Sequence, residues 1–201
     1  AQFALTRQTV DVDTDGNATP DLLGATLQGV ALTVAGATVK VDGIATLKVS
    51  GQLALASVAV GGVNKYSALK MGNVTVTGDL DPTLKTSLGL SASATIAALN
   101  SNSVATVGAK RLGWSSAFDL DGDGQYDDVL NPGSSLPTPV SLPIDFASSL
   151  ELTVSGTLTG TGAVITSGDP TLLIAGPLTI GGGAQFALTR QTVDVDTDGN
   201  A

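Results

Sequence analysis

The chain has no cysteine and no histidine among its 201 residues. Those absences exclude disulfides, thiolate zinc sites, cysteine and histidine nucleophile systems and imidazole general bases. Glutamate occurs once, as Glu151, against 17 aspartates. Glu favours helices whereas Asp favours turns and metal loops, so this balance is unlike that of a helical protein. No apolar run approaches the roughly 20 residues of a membrane-spanning helix. The nine Lys and Arg are scattered along the chain, which leaves no basic patch suited to nucleic acid. Paired aspartates serve as glycosidase acids when they come from separate rigid strands; here they crowd into single loops. No catalytic constellation is present, and the chain reads as a non-enzyme.

What it does have is a duplication. Residues 1–18, AQFALTRQTVDVDTDGNA, recur letter for letter at 184–201. The chain therefore reads as one unit, residues 1–183, followed either by the start of the next copy or by an appended connector strand, with Gly181–Gly183 as its linker. The tandem array is the preferred reading, because LTIGGGAQFALT is a natural strand sequence with a glycine bend. Within the unit, ALTVAGATVKVDG (31–43) faintly echoes ELTVSGTLTGTGA (151–163), which suggests two related halves at about 1–108 and 109–183.

Alternation of apolar and polar residues runs through most of the chain, in FALTRQTVDV, LQGVALTVAG, ATVKVDG, IATLKVSG and QLALASVAV. That period of two predicts strands. Gly36, Gly43 and Gly51 punctuate the runs and predict turns between short strands. Val39, Val41 and Ile44 are expected on one face, Lys40 and Asp42 on the other. Residues 84–99 read as strand, with a helix as the alternative over SASATIAALNS. Asn131–Pro143 holds four prolines and is the expected linker or crossover. The fold class is all-β, sandwich-like or an elongated β-rich repeat with calcium loops, with a β-solenoid as the alternative.

Two acidic loops carry the chemistry. In Asp119-Leu-Asp121-Gly-Asp123-Gly-Gln125-Tyr-Asp127-Asp128, side-chain oxygens at positions 1, 3 and 5, a bend-forming glycine, the Gln125 carbonyl and a closing carboxylate surround one hard cation. So many carboxylates repel one another without a cation. The loop has neither the Glu at position 12 nor the flanking helices of an EF-hand, which points to a structural site. The earlier loop offers Asp11, Asp13 and Asp15, the Asn17 carbonyl, and Asp21 to close the shell. In the copy, Asp194, Asp196 and Asp198 recur without the equivalent of Asp21, so that site is expected to be incomplete. Trp114 and Phe118 are expected to pack beneath the second loop, and Lys110-Arg111 to be a solvated pair. The sequons at Asn17 and Asn73 read as coincidence.

The loops DVDTDG and FDLDGDGQYDD, the glycine-punctuated strands and the long duplication together resemble repeats of giant bacterial extracellular surface adhesins. The resemblance covers the whole chain in style, with only the acidic loops as motifs. The GGxGxDxUx pattern of calcium rolls is absent. What the resemblance implies is secretion to the cell surface or matrix, bound Ca2+, and a rigid spacer role in adhesion or biofilm. The implied partners are adjacent copies, end to end or as a homo-polymer through 1–18 or 184–201. Two alternatives stand beside it. One is a filament subunit completed by a donated strand; the other is a carbohydrate-binding module using Trp114, Tyr66 and Tyr126.

Overall fold

In a computed structural model, the residues described are 1–41, 45–80, 92–165, 168–175, 177–193 and 195. The strands are β1 (Gln2–Val12), β2 (Leu22–Val41), β3 (Ala45–Val60), β4 (Val63–Leu80), β5 (Ala92–Val104), β6 (Leu150–Gly160), β7 (Thr171–Ala175), β8 (Leu178–Gly181) and β9 (Gly183–Gln191). Seven form one open antiparallel sheet in the order β1-β2-β3-β4-β5-β6-β9, and β7 pairs with β8. The protein is all-β, as the alternation predicts, and the sheet is not closed into a barrel.

The strands are longer than the glycine spacing predicts. Gly36 and Gly51 lie inside strands, not between them. Each sits at a register shift, between Val34 and Ala37 in one case and between Ser50 and Gln52 in the other. Such shifts are β-bulges, which bend a strand without ending it. At Gly51, φ is +153° and an added Cβ would lie 2.7 Å from the Val74 backbone, so only glycine fits. The helical alternative for SASATIAALNS fails over residues 92–101, which lie within β5 between β4 and β6. The rest of that expected strand, residues 84–91, lies outside the described residues. So do Asp42, Gly43 and Ile44, and the side chains of Val39, Lys40 and Val41.

A second layer packs on one sheet face. Val10, Val12, Ala25, Leu27, Ala54, Ala56, Val58 and Ala68 supply the sheet's side of the core. Leu112, Trp114, Ala117, Phe118, Leu130, Leu142, Ile144 and Phe146 supply the other side, from the lobe between β5 and β6. Small side chains on the sheet let the bulky ones of the lobe seat closely. This second layer is irregular chain with one short 3-10 turn at Pro132–Ser135, not a second large sheet. The proline-rich stretch does cross the sheet, but as part of this layer: Pro132, Gly133, Leu136 and Leu142 are buried. Thr138 exchanges hydrogen bonds with Gln2 at the start of β1.

The lobe is anchored by one buried amide. Asn102 of β5 donates to the Leu112 and Ala147 carbonyls and accepts from the Trp114 indole N–H. No buried side-chain polar atom among the described residues lacks a partner. The opposite face carries an apolar row, level across all seven strands: Phe3, Leu32, Leu53, Met71, Leu99, Val154 and Leu188. One sheet thus spans both halves of the sequence.

Candidate metal centre

The turn between β1 and β2 wraps around Asp13. This carboxylate is 2% exposed and accepts from three backbone N–H groups of the turn, those of Asp15 and Gly16 on Oδ1 and that of Ala18 on Oδ2. Asp21 closes the loop, its Oδ2 accepting from both the N–H and the hydroxyl of Thr14. In the lobe, Asp119 is held the same way by the N–H groups of Gly122, Asp123 and Gly124. Asp128 closes that loop by accepting from the N–H groups of Leu120 and Asp121.

The correspondence between the loops differs from the one their letters suggest. Asp13, not Asp11, occupies the place of Asp119. Aligned so, Asp15 matches Asp121, Asn17 matches Asp123, and Ala18 matches Gly124. Ala18 indeed adopts φ +62°, in the same left-handed region as Gly124 at +85°. A non-glycine residue seldom takes that conformation, so a search for glycine misses the register. Asp11 falls at a bulge in β1, and its Oδ1 accepts from the Gly24 N–H instead.

One oxygen each from Asp13, Asp15 and Asp21 lies within 4.8 Å of the others, as does one each from Asp119, Asp121 and Asp128. Calcium sits 2.3–2.6 Å from each ligand, so ligands on opposite sides of it stand about 5 Å apart. Both clusters fit that size. Asp11, Asp123 and Asp127 stand outside them. Asn17 turns its side-chain oxygen to the Thr19 N–H, which leaves its backbone carbonyl to complete a shell; the Gln125 backbone N–H donates to Asp123. The copies Asp194, Asp196 and Asp198 lie outside the described residues.

The two loops are neighbours, although more than 90 residues separate them. Val12 bridges Phe118 in antiparallel fashion, and the Asp13 N–H donates to the Ala117 carbonyl. Asp11, Asp119 and Tyr126 line a cleft between them. Burial, and then the negative charges of Asp11, Asp119 and Asp13, raise the Tyr126 phenol above its ordinary pKa. For Asp13, burial opposes ionisation, but the N–H groups of Gly16, Ala18 and Asp15 outweigh it and hold the carboxyl below its ordinary value. The Thr14 hydroxyl and N–H do the same for Asp21.

Trp114 and Phe118 pack beneath the second loop, both fully buried, with ring centroids 5.7 Å apart. Trp114 therefore presents no face to a sugar. Arg111 is not a freely solvated cation: it pairs with Glu151 and donates to the Thr192 hydroxyl. Glu151 also pairs with Arg190. Reasoning from sequence missed this cluster, whose one available signal was the solitary glutamate.

Fold and site define an all-β protein with two adjacent acidic turns at one end of an open sheet. No protein family model, no curated protein and no solved structure matches the chain. Among the described residues, no helix is long and apolar enough to cross a membrane.

Proposed function

We propose that this chain is a calcium-binding structural repeat of a secreted surface adhesin or matrix protein, acting as a rigid spacer between neighbouring copies. The observation that carries the reading is the pair of carboxylate clusters, each drawn together by a shell of backbone N–H donors. Negative charges at such spacing repel one another, and a divalent cation removes that cost. Residues 1–183 hold 15 acids and eight bases, a balance of −7 that two Ca2+ would reduce to −3. The bridge from Val12 to Phe118 adds to the case, since metal at either loop would stiffen the junction of sheet and lobe.

A ligand that binds the folded chain alone stabilises it. At a hundredfold excess over Kd, each site contributes about 2.7 kcal/mol. Two sites would shift the melting temperature by roughly 10–20 °C for a chain of this size. The test is a thermal melt in calcium and then in excess chelator. A melt that does not move would sink the reading.

A filament completed by a donated strand is the second reading, favoured by the place of β9. It adds to the sheet edge a sequence identical to the strand at the opposite edge. Concentration-dependent growth of the 201-residue chain into fibres would put that reading first.

A further inference from the structure

The two copies of the duplicated strand sit at opposite edges of one sheet, β1 at one and β9 at the other. Six antiparallel steps separate them, so they run in the same direction. They also present the same face. Leu188, the copy of Leu5, is level with Phe3 through Val154, Leu99, Met71, Leu53 and Leu32, and opposed residues share a face. Two strands alike in sequence, direction and face, each with its neighbour on the opposite side, must use opposite edges. β1 binds β2 through one edge; β9 binds β6 through the other.

We propose that the duplicated segment is a strand shared between consecutive units, holding β6 of one unit on its first edge and β2 of the next on its second. One antiparallel sheet then runs unbroken through successive copies. This rests on the tandem-array reading and adds to it where the units join.

The side chains carry the same asymmetry. Arg190 pairs with Glu151, and Thr192 accepts from Arg111. Their counterparts in the first copy, Arg7 and Thr9, are exposed, and Arg7 has no ion pair among the described residues. Phe186 lies against Gly156 and is 37% exposed, whereas Phe3 is 60% exposed. Each copy thus displays half of one set of partners. A preceding unit's Glu151, Arg111 and Gly156 would complete the first copy; a following unit's β2 would complete the second. The bend before β9 is built into the fold, because Gly182 accepts from the Gly160 N–H and donates to the Pro170 carbonyl. Sharing also removes both open edges, which otherwise invite uncontrolled pairing.

The test compares amide exchange in the 201-residue chain with that in a chain of two consecutive periods, residues 1–183 followed by 1–201. In the shorter chain, every second N–H of β9 faces outward and should exchange fast. In the longer chain, the same N–H groups of the junction strand should slow by about tenfold or more, as expected for a strand paired on both sides. Exchange as fast as in the shorter chain would overturn the proposal. If calcium raised the melting temperature of that two-period chain while those N–H groups stayed fast, the spacer reading would survive and the shared strand would not. Slow exchange with no calcium effect would uphold the shared strand and remove the calcium spacer. A second measurement uses the 201-residue chain. Arg190→Gln should speed β9 exchange roughly two- to fivefold, the scale of an exposed ion pair. Arg7→Gln should leave β1 exchange unchanged; equal effects from the two variants would count against the proposal.

Discussion

Asp11 and Asp13 are two residues apart and chemically identical, yet the fold gives them different work. Asp13 accepts three backbone N–H groups from within its turn, and Asp11 accepts one from Gly24. Removing the Asp13 carboxylate leaves several donors partly buried and unpaired, which costs about 1–3 kcal/mol. Asp13→Ala should therefore lower stability in chelator by that amount and abolish calcium binding at the first loop. Asp11→Ala should cost about 1 kcal/mol or less and leave calcium binding at that loop in place. Urea unfolding and calorimetric calcium titration of both variants check this, and loss of calcium binding in Asp11→Ala alone would refute the assignment. The same hydrogen bonds set a pH dependence. Asp13 and Asp21 are held below their ordinary value of 3.8 in the folded chain. The unfolded chain therefore takes up protons first as the pH falls. Their contribution is fully present well above pH 3.8 and is lost as the pH drops through that value towards the lower folded ones. In chelator, the urea midpoint should be level between about pH 7 and 5 and fall below about pH 4. A midpoint that rose on acidification would contradict the sign.

At the scale of elements, the sequence was a good guide to strand content and a poor one to strand length. Alternation is local, so it survives any tertiary arrangement and gives the all-β class directly. Where a strand ends depends on its partners. A glycine in an alternating run marks a turn or a bulge equally well, and at Gly36 and Gly51 the pairing of β2 with β3 and of β3 with β4 decides for the bulge. The alanines of β5 admit a helix, but the segment lies between two strands whose ladders it completes. The lobe was obscured by its prolines. NPGSSLPTPVSLP looks like a linker until Leu136 and Leu142 are seen to be buried. The acidic loops were legible as loops, because Asp spacing is a local property. Their register was not, because it turned on the left-handed backbone at Ala18, which no letter announces.

At the scale of the whole molecule, six sheet strands per period set how an array would grow. Adjacent strands lie about 4.8 Å apart, so a sheet continuous through the units advances roughly 29 Å for each period. Separate globular units of that size would each span about 40 Å, and linkers would add to it. The longest strand, β2, has 20 residues and extends roughly 65 Å across that direction of growth. The array would then be a broad ribbon that lengthens slowly, with its strands crosswise. Twist accumulates at about 20–25° per strand, which turns successive lobes by roughly 120–150° around the ribbon. Neighbouring acidic loops would consequently point in different directions, keeping charge of one sign from building up along one side. Solution scattering from chains of one, two and three periods in calcium measures the increment directly. Growth of about 29 Å per period would support the ribbon. An increment of about 40 Å or more would mean that each unit keeps its own sheet, with the duplicated strand serving only one of them.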